Sequence, residues 1–250
     1  MVSFRDIHDD GNLIAEKANF EHYGTKQFYF KYDANFIQFK INPSLQVFQL
    51  AQRYLEDYQK EHKQEHLKFY LPADEMIQED VLLYLYQQFY TIGCQELYEI
   101  KPLQFIYKDR KNEIVVEEVT NDNLREYLLL QRNFDQDYGE EYVNLNRSMH
   151  SYHYNAKDTL QLLAYDHGVP AGSLQVFFNK CTCTAEIDNV GVLPAHRLKG
   201  IAASLQYEVM KRFSNHRVIL VADSNDTPKD MYRKQGYKKV SFRYEVMKLL

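Results

Sequence analysis

The chain of 250 residues carries a formal net charge of -5, with 45% hydrophobic and 26% charged residues. That length holds one large domain or two modest ones, each with its own core. The acidic balance and the absence of a clustered run of Lys and Arg argue against nucleic acid as a partner, and no stretch approaches the roughly 20 apolar residues of a membrane span.

In chain order, the N-terminus MVSFRDIHDDGNLIAEK has early acids and no long apolar run, so no signal peptide is expected and a cytoplasmic location is. Lys26–Tyr32 and Phe36–Ile41 read as two strands around the polar turn Asp33-Ala34-Asn35. Pro43 or Ser44 opens a helix to about Lys60, with Val47, Leu50, Ala51, Tyr54 and Leu55 at helical spacing. Leu67–Leu71 is a short strand ended by Pro72. A helix starting between Ala73 and Gln78 runs to Tyr90, Gly93 breaks it, and Gln95–Ile106 is strand-like up to Pro102. The charged stretch Lys108–Asn112 marks a seam between residues 1–110 and 111–250.

Beyond the seam, Ile114–Glu118 is a predicted strand. Thr120 or Asn121 caps a helix to about Arg132, and Glu140–His150 is a second helix. Asp158–Tyr165 and Ala171–Phe178 form a hairpin across Asp166-His167-Gly168. Thr184–Val192 is a strand that leads through Leu193–Ala202 into a helix from Ala203 to Phe213. Strand Arg217–Val221 follows, then a helix from Thr227 or Pro228 to Gln235, ended by Gly236, and two closing strands, Tyr237–Val240 and Arg243–Leu249. The expected class is α/β, with a mixed, mostly antiparallel sheet flanked by helices, preceded by a second α/β domain. The halves echo each other faintly: Tyr98-Glu99-Ile100-Lys101 resembles Tyr244-Glu245-Val246-Met247-Lys248, the mark of a diverged duplication.

Several clusters carry little chemistry. Cys94, Cys181 and Cys183 are too few for a disulfide framework, and the Cys181/Cys183 pair does not complete a zinc site. His62 and His66, four apart on a helix tail, read as surface histidines, and no metal is expected. Lys229, Arg233, Lys234, Lys238 and Lys239 read as solvated surface. The overall acidity suits a cationic or amine partner.

The loop Arg197–Ala202 carries more. A glycine-containing turn from strand to helix directs several backbone N–H groups toward one anion, and the helix N-terminus adds its own free donors. Gly200 permits close approach, Ala202 leaves room for a diphosphate, and Arg197 and Lys199 add positive charge. The alternative is a plain turn with exposed cations. The segment Val192-Leu193-Pro194-Ala195-His196-Arg197-Leu198-Lys199-Gly200-Ile201-Ala202 resembles the coenzyme A signature of the GNAT superfamily of N-acetyltransferases: Gln or Arg, two residues, Gly, one residue, then Gly or Ala. Asn225, Tyr232 and Gly236-Tyr237 are similar to its later motif, with Pro228 where Ala is usual. The resemblance spans roughly Ile114–Leu250.

It implies acetyl-coenzyme A as cosubstrate. The amides of Arg197, Leu198, Lys199, Gly200, Ile201 and Ala202 would hold its pyrophosphate, Val190, Gly191 and Val192 would lie along its pantetheine arm, and Asn225 would bond that arm or simply cap a strand. His196 becomes a loop residue rather than a base. Tyr232 is implied as the acid for the leaving sulfur, or else packs against the arm. Glu186, in an Ala185-Glu186-Ile187 context, matches a family base. Asp188 shares its face by alternation unless a bulge intervenes, and transfer without a protein base stays open. Asp135, Asp137, Glu140, Glu141, Tyr138, Tyr142 and Tyr152 fall where the family recognises its acceptor. The expectation is transfer of an acetyl group to an amine of a small molecule or peptide in a ternary complex. The alternative is a non-catalytic acyl-coenzyme A-binding or regulatory protein. The resemblance also allows a homodimer. Residues 1–110 have no comparable loop: Ile41-Asn42-Pro43-Ser44-Leu45-Gln46-Val47 lacks glycine, Arg and Lys, so this half reads as an accessory domain, with a degenerate GNAT-like copy as one option.

Overall fold

The computed structural model describes residues 2–108, 114–225 and 228–250. The expected seam beyond Lys108 and the helix start at Thr227 fall outside them. Strands β1 (Asn12–Glu16), β2 (Phe20–Gly24), β3 (Phe36–Phe39), β4 (His66–Tyr70) and β5 (Thr91–Ile100), with helices α1 (Leu45–His62) and α2 (Glu79–Gln87), form the N-terminal half. The C-terminal half contains β6 (Ile114–Glu118), α3 (Leu124–Asp135), α4 (Glu140–Tyr154), β7 (Thr159–Asp166), β8 (Val169–Asn179), β9 (Thr184–Val192), α5 (Ile201–Arg212), β10 (Arg217–Asp223), α6 (Pro228–Gln235) and β11 (Lys238–Leu249).

All strands join one 11-stranded sheet in the order β1-β2-β3-β4-β11-β5-β10-β9-β8-β7-β6. The halves trade their closing strands. β5 lies against β10, and β11 lies between β4 and β5. The parallel pairs are β3 with β4 and β9 with β10; every other pairing is antiparallel. The element order also repeats about the β5–β11 pair: β3-α1-β4-α2-β5 is matched by β9-α5-β10-α6-β11. The faint sequence echo falls on those two exchanged strands.

Four readings of the sequence are corrected. Lys26–Tyr32 is not a strand. The buried Asn35 amide donates to Phe28 O and Lys31 O while its Oδ1 accepts from Thr25 N, so this side chain satisfies backbone groups that a neighbouring strand would otherwise pair. The strands of this region are β1 and β2, whose short, weakly alternating sequences concealed them. Gly93 does not end α2 but lies inside β5 opposite Glu245, where a Cβ would come within 2.8 Å of the Glu245 carboxylate. The two expected closing strands are one, with a register shift between Lys239 and Ser241. The N-cap of α3 is Asn123, whose Oδ1 accepts from Thr120 N.

Two main cores flank the exchange. One gathers Ile37, Phe39, Phe48, Leu55, Leu67 and Phe69 of the N-terminal half together with Val246 of β11. The other gathers Leu162, Leu174, Val176, Leu205 and Val218 together with Tyr98 and Ile100 of β5. Each half therefore completes the other's core. Leu97 of β5 is fully buried against Ile219 of β10 and Val2. The protein is predicted to unfold in a single calorimetric transition. Leu97→Ala should lower the stability of that whole transition by about 2–5 kcal/mol, whereas two separate transitions, only one of them shifted, would contradict the shared core.

Candidate functional site

The strand-to-helix loop begins where β9 ends. A 3-10 turn at Pro194–His196 is followed by Leu198 and Gly200, both left-handed, at φ 65° and 96°. Gly200 is the N-cap of α5, and no side chain caps this helix. No side-chain oxygen therefore occupies the start of this helix. The matching turn of the N-terminal half differs in this respect: Ser44 Oγ accepts from Val47 N at 3.4 Å and fills the start of α1. The charges of the α5 loop are partly committed. Lys199 Nζ and His196 Nδ1 each lie 2.7 Å from Asp166 Oδ2, and these contacts, Lys199 first, hold the Asp166 carboxyl below its usual range. His196 is thus fixed in the loop wall. Arg197 Nε donates to Val192 O.

Strand β9 connects this loop to a buried acid. It pairs with β10 only from Thr184 to Glu186, opposite Arg217 to Ile219. Its register with β8 shifts between Ser173 and Gln175, and Asn189 is left-handed at φ 49°. The irregularity falls after Asp188, so Glu186 and Asp188 keep the common face that alternation predicts, and both line one cavity. Gly191 admits the Phe134 ring, which would meet an added Cβ at 2.6 Å. Burial pushes the Glu186 carboxyl up to about 8, and the negative charge of Asp188 adds to this. The hydrogen bond from His8 N to Oε2, at 2.6 Å, and the charges of Lys31 and Arg243 oppose it.

The cavity has a volume of about 800 Å³ and draws its walls from both halves. The N-terminal segment forms one edge: Phe4, Ile7, His8 and Asp9 line it, and the His8 ring stacks on Phe177 at 3.6 Å. Its anchor is Asp10. Burial works against that charge, yet hydrogen bonds from His153, His8 and Lys31 outweigh it and hold the carboxyl far below its normal range. Burial raises the neighbouring Asp9 carboxyl to about 6. Opposite stand Asp33, Tyr70 and Arg243 from the N-terminal half and the exchanged strand β11. A second cavity of about 840 Å³ shares Glu186, His8, Asp9, His153 and Phe177 and is also lined by Tyr152.

Of the residues singled out in the sequence, Glu186, Asp188, Asp135, Tyr138 and Tyr142 come together around the first cavity. Asp137, Glu140 and Glu141 do not line it; Glu140 pairs with Arg132 at the surface. Residues Arg197 to Ala202 line neither large cavity. Asn225 is exposed beyond β10, with its N–H bonded to Asp223 Oδ1. Tyr232 is 9% exposed, with its ring among Tyr98 and Tyr237. Cys181 and Cys183 lie in the exposed turn before β9 rather than in a strand. His66 is neither helical nor at the surface: it is buried in β4, with Nε2 3.0 Å from Asn35 O. Sequence reasoning missed His8, Lys31, Asp33, Tyr70, His153 and Arg243. These reach the cavity from elements far apart in the chain, and Arg243 does so from the exchanged strand β11. Among the described residues, no helix is long and apolar enough to cross a membrane.

Comparison with known proteins agrees with this division. Residues 116–237 match the acetyltransferase (GNAT) family, and residues 2–98 match a domain of unknown function, DUF5613. No curated protein matches the chain. Among solved structures, a functionally unknown conserved protein from Staphylococcus epidermidis is 31% identical over 99% of this chain and 98% of its own, with a TM-score of 0.91. A GCN5-related N-acetyltransferase from Kribbella flavida shares the fold at 13% identity, covering 93% of this chain and 88% of its own, with a TM-score of 0.65. A tandem GNAT protein from the clavulanic acid biosynthesis pathway does so at 11% identity, covering 85% and 74%, with a TM-score of 0.55. The chain belongs to the family of the conserved staphylococcal protein, and its C-terminal half is a GNAT-like domain preceded by a distinct α/β domain.

Proposed function

We propose that the protein transfers an acetyl group from acetyl-coenzyme A to an amine of a small molecule or peptide, within a ternary complex. The observation that carries this reading is the pairing of an uncapped, left-handed loop at the start of α5 with a buried carboxyl on the strand that feeds it. The loop fits the cofactor's diphosphate. Amides from Arg197 to Ala202 would hold it, and Val190, Gly191 and Val192 would flank the pantetheine arm where β9 has parted from β10. When bound, acetyl-coenzyme A supplies the acyl group as an activated thioester. Asn225 is proposed to bond the same arm.

Glu186 is assigned as the base. Its carboxylate accepts a proton from the amine, with Asp188 beside it to favour a cationic acceptor. A group titrating near 8 is matched to that task, because its conjugate acid and an ammonium do not differ greatly in strength. Tyr232 is assigned as the acid that returns a proton to the departing sulfur. We place the domain boundary at residues 110/111 and read the N-terminal half as a degenerate GNAT-like copy. The repeated element order and the likeness to a tandem GNAT protein support this. Ser44 already occupies its equivalent of the α5 loop, so in this reading only the C-terminal half takes coenzyme A. The N-terminal half supplies one wall of the acceptor cavity.

Purified protein with acetyl-coenzyme A and a panel of polyamines, aminoglycosides, amino acids and peptides should release coenzyme A with one acceptor class. Binding of the cofactor without release on any acceptor would favour a binding or regulatory protein instead. The rate should rise with pH through about 8, as Glu186 loses its proton. Glu186→Gln should remove that inflection and lower kcat by about a hundredfold or more, and an unaltered profile would contradict the base assignment. Tyr232→Phe should lower kcat by about tenfold or more, and an unchanged rate would remove Tyr232 from the mechanism.

Glu186 also makes a prediction independent of turnover. Its folded-state value of about 8 lies above the ordinary 4.5. The stability that comes from keeping the proton is full below about 4.5 and is lost as pH rises toward about 8. The Tm of Glu186→Gln should therefore gain on wild type between about pH 5 and pH 8.5; a constant difference would show that the carboxyl is not held protonated.

A further inference from the structure

Two arginines line the cavity without an ion pair among the described residues, and of these Arg5 is exposed and Arg243 is buried. Arg243 extends from β11, is 9% exposed and lines the cavity wall. Its guanidinium lies 3.6 Å from the Tyr70 ring centroid and 4.4 Å from that of Phe4. Its hydrogen bonds go to neutral acceptors: Nε donates to Gln95 Oε1 at 2.9 Å, and one terminal nitrogen donates to Gln38 Oε1 at 3.4 Å. Among the described residues it makes no ion pair. Buried Lys68 is matched by Asp33 and Glu245, and half-buried Lys31 by Asp10. Burial holds the Arg243 guanidinium below its usual range although Asp33, Glu245 and Asp9 act on its charge without forming an ion pair, so an anion in direct contact would stabilise it.

Two neutral groups on the same cavity also lack partners. His150 Nε2 and Asn146 Oδ1 are buried and make no hydrogen bond, and both residues line the cavity. His150 stays neutral because burial lowers its pKa to about 3. The wall thus offers a buried guanidinium outside any ion pair among the described residues, and spare polar atoms. Glu186 and Asp188 face the same space, close enough for the Arg243 charge to act on the Glu186 carboxyl.

We infer that the acceptor is an amino carboxylate, a free amino acid or close relative, whose carboxylate pairs with Arg243 while its amine meets Glu186. The inference rests on the acetyl-transfer reading of Glu186. A single carboxylate matches the one buried guanidinium of the wall. Asp9 and Asp33 on the same wall repel any anion, and a doubly charged phosphate more than a carboxylate. The planar guanidinium fork suits a carboxylate bidentately, and its aromatic stacking fixes that plane. Arg243 is a binding residue here; it touches the substrate but not the reacting atoms.

The test uses the full chain and matched acceptors: L-lysine, L-phenylalanine and β-alanine, each against its own carboxamide, with O-phosphoethanolamine as the phosphate arm. Coenzyme A release is read together with the heat of acceptor binding in the absence of acetyl-coenzyme A. At least one amino acid should exceed its carboxamide by about tenfold or more in kcat/KM or in affinity. Arg243→Lys, which keeps the charge but loses the fork, should abolish that preference through KM. Equal use of acids and carboxamides, or preference for the phosphate, overturns the inference and leaves acetyl transfer standing. Arg243-dependent binding of an amino acid without any release supports the anion site and removes the transfer reading. No binding of any amino acid overturns the site. Should Arg243→Lys fail to fold, the wild-type comparison of acids with carboxamides decides alone.

Discussion

The exchange of β5 and β11 at the centre of the sheet is the constraint on which the rest depends. Two halves that kept their own closing strands would be able to turn about a linker. Here each core is completed by a strand of the other half, so the relative placement of the halves is set by hydrogen-bond register and by Leu97, Val246 and Tyr98. A cavity between two domains is ordinarily only as rigid as their contact surface. This one is backed by a continuous ladder, which lets Arg243 of β11 and Glu186 of β9 face one space across intervening strands.

Within that frame the electrostatics are uneven, and the unevenness is informative. The Asp10 and Lys68 side chains are buried, and each is neutralised by a partner, Asp10 by Lys31 and Lys68 by Glu245 and the more exposed Asp33. Glu186 and Arg243 are buried as well, yet neither has an ion-pair partner among the described residues. Glu186 responds by favouring its protonated form. Arg243 is sandwiched between rings and bonded to two glutamines. Both line the cavity.

The sequence was legible wherever the signal was local. The hairpin of β7 and β8, the helix capped by Ser44 and the α5 loop depend on neighbours along the chain, and their turn and capping residues mark them. Glu186 was singled out through its context on the strand before that loop, and it lines the cavity. What escaped was non-local. Asn35 replaces a strand partner with its side chain, so Lys26–Tyr32 reads as extended but is not. Gly93 breaks no helix, because its reason for being glycine is Glu245 on a strand far along the chain. Arg243, Asp33 and His8 carry no motif; their meaning comes from the exchanged strands and from the N-terminal segment lying along the cavity. Tyr232 was singled out by motif, and its burial among Tyr98 and Tyr237 leaves its role to kinetics.

The central claim is that the uncapped start of α5 holds a coenzyme A diphosphate while the equivalent turn before α1 does not. Amide hydrogen exchange of the whole chain, with and without coenzyme A, addresses it residue by residue. The account predicts slowed exchange from Arg197 through Ala202 and along the end of β9, with the turn at Ser44 unchanged. Protection confined to the N-terminal turn, or no protection at either turn at saturating coenzyme A, would contradict it.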